Sequence, residues 1–274
     1  MTSESASRPP GKPLAKCVVS YGGYKFSGVG LQSNRITPSS HLILLVSLNG
    51  SVSVTNGNRR QSRQTHIGGL HGSARSVESS GDPFGLRVAV NPLWSRRLFG
   101  VPASALSNDD IDSGELFGQS RSNELLERLH ETGGWDERFD VLDHFLSARL
   151  GHSKSSSTKL DVSFAWQQIV ASRGMYRVDQ LASEIGCSRK YLSRRFSDEF
   201  GVSPKKVLQL ARFEHACALF KSDPTQAISA VASLAGFADQ AHLTRSWQTF
   251  NGCTPSAWLK EEFPFLQDYE FQCA

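Results

Sequence analysis

Two groups of polar side chains in the last third of the chain are spaced for work on a nucleic acid. In the first, Lys190, Ser193 and Arg194 fall at i, i+3 and i+4, so a helix would carry them on one face. Arginine suits that face because its planar fork can bond both major-groove acceptors of a guanine. Arg189 and Arg195 flank the face and are expected on phosphates, as are Lys205 and Lys206 a little further on. In the second group, Gln240, Ala241, Thr244 and Arg245 share a face, with His242 at its edge. Between Arg189 and Lys206 the basic residues are opposed only by Asp198 and Glu199. Such a patch is the electrostatic footprint of phosphate contact, although an ordinary solvated helix face has the same composition.

The elements that must hold these groups form one design written twice. Val178, Leu181, Ala182, Ile185 and Gly186 recur as Ile228, Val231, Ala232, Ala235 and Gly236. Leu192, Arg194, Phe196, Gly201 and Pro204 recur as Leu243, Arg245, Trp247, Gly252 and Pro255, with one extra residue in the second turn. The spacing predicts a short apolar helix, a glycine turn and a second helix in each copy, which is a helix-turn-helix. Ser188 is placed to cap the first copy's second helix, and Leu192, Phe196 and Phe200 to bury its other face. In the second copy Leu243 and Trp247 are the inward residues. Pro204 and Pro255 suit the first turn of the helix after each copy, whose free amides can hold a phosphate. The helix predicted from Pro204 to Lys221 would be a rod of about 27 Å at 1.5 Å per residue. Successive major grooves on one side of B-DNA lie about 34 Å apart, so a connector of that size can serve two of them. Two helical hairpins of an α-bundle would share the same periodicity.

The rest of the chain is of another kind. Residues 14–90 read as short strands broken by Gly, Ser, Asn and Pro: Val18 to Phe26, His41 to Leu48, Ser51 to Thr55, Thr65 to Gly68, Ala74 to Glu78 and Phe84 to Val90. Asn49-Gly50 predicts a tight hairpin between the second and third of these, and Asn56-Gly57 the next turn. Helices follow, one opened by Asn91-Pro92, one capped by Ser122, and one carrying Phe139, Leu142, Phe145, Leu146 and Leu150 on a stripe. The last two form a hairpin that packs on the strands or on a second subunit. The expectation is an α+β chain: a disordered tail over residues 1–13, a small β-barrel domain with a helical hairpin over 14–150, a Ser-rich linker over 151–158, and an all-α tandem helix-turn-helix domain over 159–274.

Composition narrows the function classes. The 274 residues are 39% hydrophobic with a net charge of +4, enough for packed cores and only mildly basic. No apolar run approaches the ~20 residues of a membrane span, and the N-terminus lacks the apolar core of a secretory signal. Cys17, Cys187, Cys217, Cys253 and Cys273 are odd in number and form no C-x-x-C pair, which points to a reducing cytoplasm and to no zinc site. His41, His66 and His71 lack the spacing of a metal-binding cupin, and no phosphate loop, nucleophile elbow or zincin motif occurs. No cofactor, metal or catalytic residue is therefore assigned. A metal-dependent cupin enzyme fused to a DNA module is the alternative, to be tested by metal analysis.

Gly236, Phe237, Asp239, His242, Arg245, Gly252, Pro255 and Trp258 resemble the signature of the AraC/XylS transcription regulators. The resemblance spans about Leu160 to Phe263. Leu243 replaces the usual aromatic residue, Trp247 replaces Phe, and Ala238 stands where Ser often caps, leaving Asp239 to serve. It implies a seven-helix domain whose two recognition helices enter successive major grooves of promoter or operator DNA. By the same resemblance, base contact falls to Lys190, Ser193 and Arg194 and to Gln240, Ala241, His242 and Arg245. It also implies a cupin-like N-terminal domain that senses a small-molecule effector or forms a homodimer, activation more than repression, and RNA polymerase as a partner. The denser charge of the first copy makes it the expected stronger anchor on DNA.

Overall fold

The computed structural model describes residues 2–28, 33–56, 59–79, 81–107, 111–152 and 160–261. Its strands form two antiparallel sheets. One runs β1 (Thr2–Arg8), β2 (Val18–Ser27), β9 (Phe84–Val90), β4 (Leu42–Ser47), β7 (Thr65–Gly68); the other runs β3 (Ser33–Ile36), β8 (Arg75–Ser79), β5 (Val52–Asn56), β6 (Arg59–Arg63). Side chains alternate across the first sheet. Leu42, Leu44 and Val46 of β4 join Tyr21, Leu86, Val88 and Val90 on the face that meets helices. Leu45 joins Tyr24 and Phe26 on the opposite face, against Val52, Val54 and Val77 of the second sheet. Among the described residues no pairing closes either sheet, so the small barrel is realised only as two open sheets packed face to face.

Two turn expectations are resolved differently. β4 and β5 do not form a hairpin: β4 pairs with β7 and β9, and β5 with β6 and β8. Asn49-Gly50 instead carries the chain from one sheet to the other, with Gly50 at a left-handed φ of 68°. The apolar run Leu42–Val46 explains this, because a strand apolar on both faces is buried best inside a covered sheet. The tight hairpin is the next one, where Asn56 pairs with Arg59; its tip, including Gly57, lies outside the described residues.

The expected disordered tail is also corrected. Thr2–Arg8 is an edge strand, in register from Thr2 opposite Ser27 to Arg8 opposite Tyr21. Its polar side chains gave no strand signal, since an edge strand is held through its backbone. Arg8 adds ion pairs to Asp140 at 2.7 Å and Asp143 at 2.9 Å, and the Trp135 indole donates to Glu4 at 2.5 Å.

The helical layer consists of α1 (Ser95–Phe99), a 3-10 turn (Ala103–Leu106), α2 (Ser113–Phe117), α3 (Gln119–Glu131) and α4 (Trp135–His152). Ser122 is not a cap: α3 begins at Gln119, and the buried Ser122 hydroxyl pairs with that of Ser113. The α3–α4 hairpin packs on the sheet, with Phe139, Leu142 and Leu146 buried and Phe139 stacked on Tyr21 at 5.7 Å. Gly151 and His152, expected in the linker, end α4, and residues 153–158 lie outside the described residues. Seven helices follow among the described residues: α5 (Leu160–Ala171), α6 (Val178–Ile185), α7 (Arg189–Phe200), α8 (Pro204–Ser222), α9 (Ile228–Leu234), α10 (Gln240–Asn251) and α11 (Pro255–Glu261).

Candidate nucleic-acid interface

Each copy of the repeat folds as a helix-turn-helix. In the first, Leu181 and Ala182 of α6 are buried, Gly186 closes the helix at φ 74°, and the Ser188 hydroxyl accepts from the Tyr191 amide at 3.2 Å to start α7. In the second, Val231 and Ala232 of α9 are buried, Gly236 also sits at φ 74°, and the Asp239 carboxylate accepts from the His242 amide at 2.7 Å to start α10. Asp239 thus supplies the cap that Ala238 cannot. Capping satisfies one of the four free amides of a helix start and fixes where the helix begins. The outward face of α7 or α10 is therefore set by short-range chemistry.

The structure brings most, not all, of the expected contact residues onto those faces. Lys190 and Arg194 on α7, and Gln240, Ala241 and Arg245 on α10, are exposed, while Ser193 and Thr244 are half-buried beside them. Arg194 and Arg245 occupy the same turn of their helices. His242 is half-buried and oriented: its Nδ1 accepts from the Ala238 amide at 3.3 Å, and its ring meets Phe237 edge-on at 5.3 Å. With Nδ1 accepting, the neutral ring keeps its proton on Nε2 as a donor. Tyr191 is a further surface candidate: it is 44% exposed on α7. It is the counterpart of His242, as the match of Leu192 to Leu243 one residue later could have signalled.

The expected phosphate residues divide. Lys205 is exposed at the start of α8. Arg189 is exposed but paired with Asp179 of α6 at 2.7 Å. Arg195 is half-buried, and its Nε is buried with no hydrogen-bond partner. Lys206 turns inward: its ammonium lies 4.4 Å from the centroid of the Phe250 ring of α10, and burial lowers its pKa. Its side chain also runs against Gly72 of the N-terminal domain, where a Cβ would strike its Cε. The first copy thus presents fewer free cations than its composition suggests.

A family model described as a helix-turn-helix domain matches residues 181–261, which take in α7 and α10. The C-terminal domain is an AraC-type helix-turn-helix domain. Solved structures extend the likeness of fold to most of the chain. An apo form of ToxT from Vibrio cholerae is 12% identical with a TM-score of 0.53, covering 92% of this chain and 99% of that one. A second ToxT structure is 16% identical with a TM-score of 0.50, over 84% and 98% of the two chains. ToxT bound to an unsaturated fatty acid is 14% identical with a TM-score of 0.50, over 85% and 95%. At such identities the likeness is one of fold: an N-terminal sheet domain joined to the AraC-type domain. Among curated proteins none matches this chain in sequence.

Outside this interface, the N-terminal histidines stand apart. His66 is buried with Nε2 2.7 Å from the Val52 carbonyl, His71 Nδ1 lies 2.7 Å from the Ser73 carbonyl, and His41 Nδ1 lies 3.2 Å from the Ser39 hydroxyl. Among the described residues no three His, Cys, Asp or Glu side chains are grouped as metal ligands, and no helix is long and apolar enough to cross a membrane.

Proposed function

We propose that this protein is a sequence-specific transcription regulator that reads two successive major grooves of promoter or operator DNA with α7 and α10. The observation that carries this reading is the pair of capped, outward-facing helices with Arg194 and Arg245 at matching, exposed positions. Lys190, Ser193, Arg194 and Tyr191 read bases from the first helix, and Gln240, Ala241, His242, Thr244 and Arg245 from the second. Lys205 holds a phosphate, and Arg189 and Arg195 back it at the rim of α7. The 19 residues of α8 make a spacer of about 28 Å between the two units. Selection of bound duplexes from a random pool tests this. Enrichment of two half-sites centred about 10 base pairs apart is expected; a pool with no enriched sequence would refute it.

The N-terminal domain is the regulatory half. The shared fold with a fatty-acid-bound ToxT favours a small-molecule effector, held by residues 14–150, and the same domain is the candidate surface for a homodimer. Activation through RNA polymerase in the cytoplasm completes the proposal. A reporter gene behind the selected sequence distinguishes activation from repression by the sign of its response.

A further inference from the structure

The C-terminal end of α7 is finished by the other domain. A helix leaves its last four carbonyls without intrahelical partners. In α7 the Ser197 carbonyl is taken by the Gly201 amide at 2.8 Å. The Asp198 carbonyl accepts from the Ser104 hydroxyl at 2.7 Å, and the Phe200 carbonyl from the Ser107 hydroxyl at 2.9 Å. Glu199, between them, is 8% exposed and is gripped by Arg96 of α1 through Nε at 2.9 and 3.1 Å and Nη2 at 3.0 Å. A carboxylate at a helix C-terminus opposes the helix dipole, and the arginine offsets it. Gly201 completes the fit: at φ 74° it needs no Cβ, and a Cβ there would collide with Ser107 Oγ.

The segment that supplies these serines is itself fastened to both sheets. The Gly69 amide, next to β7, donates to the Leu106 carbonyl at 3.0 Å, and Ile67 of β7 exchanges backbone hydrogen bonds with Ile111 at 2.8 and 3.1 Å. From the second sheet, Arg75 of β8 donates through Nη2 to the Ser107 carbonyl at 3.3 Å in the buried interior. Ser107 therefore binds the second sheet with its carbonyl and the recognition helix with its hydroxyl, and Leu106 beside it binds the first sheet.

Resting on the DNA-reading role of α7, we propose that Arg75, Ser104 and Ser107 are positioning residues for the first recognition helix, through which the arrangement of the N-terminal sheets is imposed on α7 and not on α10. Arg75 lies in the sheet domain and reaches α7 by way of the Ser107 carbonyl. Deformation of the sheets then changes the pose of α7 by way of residues 104–107; α10 has a separate core, meets the N-terminal domain through Lys206 and, among the described residues, takes no hydrogen bond from residues 104–107.

The test is a footprinting titration of the full-length chain on a duplex selected by the wild type, with the α7 half-site assigned by the base preference that Arg194→Ala loses. Ser107→Ala is expected to weaken protection of the α7 half-site by about threefold to tenfold, the worth of one hydrogen bond, and to leave the other half-site unchanged. Arg75→Met should produce the same selective loss, and adding it to Ser107→Ala should cost nothing further, because the two act in series. Ser104→Ala, which removes a hydroxyl bonded to α7 and to neither sheet, covers the case in which Arg75→Met does not fold. It should act selectively as well, and Ser104→Thr should restore protection. Equal loss at both half-sites, additive effects of Arg75→Met and Ser107→Ala, or full protection in Ser104→Ala and Ser107→Ala would overturn the proposal. A wild type that selects no duplex would instead refute the DNA reading itself.

Discussion

The two helix-turn-helix units are copies in sequence but not in setting. The buried core of the first is continuous with that of the N-terminal domain: Leu181, Leu192, Phe196 and Phe200 belong to one cluster with Leu106, Leu98 and the sheet residues Leu44 and Val88. The second unit has a core of its own, built from Phe213, Phe220, Val231, Leu243, Trp247, Phe250 and Trp258. α8 is the spine of both. Val207, Leu208 and Ala211 enter the first core, and Leu210, Phe213, Ala216, Cys217 and Phe220 the second. A duplicated motif can thus give one unit that shares its core with the N-terminal domain and one that keeps a core of its own on a shared helix. Buried apolar area is the main stabilising term, so a break in the buried network marks where the molecule can melt in parts.

The sharpest way to break this comparison is at Trp247. It is fully buried, with Phe213, Trp258 and Phe220 ring centroids at 4.9, 5.1 and 5.4 Å. Trp247→Ala removes the centre of the second core at a cost of about 3–5 kcal/mol. Calorimetry should show a new low-temperature transition for the second unit, with the main transition little moved. A single transition displaced as a whole would mean that the two cores are one cooperative body.

Gly201 tests the docking of the first unit. Gly186 and Gly201 both sit at φ 74°, but a Cβ at Gly186 meets open space and one at Gly201 meets Ser107. Gly186→Ala should cost only the left-handed backbone strain, about 1–2 kcal/mol. Gly201→Ala should cost more, by denaturant melting, because Ser107 must also be displaced. Equal costs would show that the α7 terminus is not held firmly against residues 104–107.

At the DNA faces, Arg194→Ala and Arg245→Ala should each cost about 1–3 kcal/mol on a selected site, relax base preference at one half-site, and leave melting unchanged. Both variants binding as wild type would remove α7 and α10 as the reading helices. The pair also ranks the units. The first was expected to be the stronger anchor from its charge, and footprinting in which the second half-site fills first would reverse that order. Arg189 is already engaged by Asp179 and Lys206 by Phe250, so the free cations on the two faces are nearer to equal than the counts suggest.

What was legible in the sequence was local. The Gly186 and Gly236 turns, the Ser188 and Asp239 caps and the burial of Leu192, Phe196, Leu243 and Trp247 depend on residues within two helical turns of one another, and periodicity reports them. The pairing of β4 with β9 and β7 depends on distant partners, which an Asn-Gly pair beside β4 does not reveal. β1 is held by its backbone and by Arg8 and Glu4, so its polar composition read as tail. The Arg96–Glu199 pair spans 103 residues of chain, and no pattern in either segment announces it. Charge counting is limited for a related reason: composition records that Lys206 is basic but not that its ammonium lies over Phe250.

The smallest predicted effects separate the two neighbouring lysines at the start of α8. Lys205 is exposed where a helix N-terminus favours an anion, so Lys205→Ala should remove one phosphate contact. The slope of log Kobs against log salt would then fall by about 0.9, with base preference intact. Lys206 lies over Phe250, so Lys206→Ala should leave that slope alone and instead loosen the second unit by about 0.5–1 kcal/mol, the worth of a cation–π contact. The expected signature of Lys206→Ala is a lower melting temperature of the second unit. A fall in salt slope for Lys206→Ala equal to that for Lys205→Ala would show that Lys206 leaves Phe250 when DNA binds. In that case the start of α8 would present both lysines to the backbone, and the first unit would regain the stronger anchoring that its composition suggests.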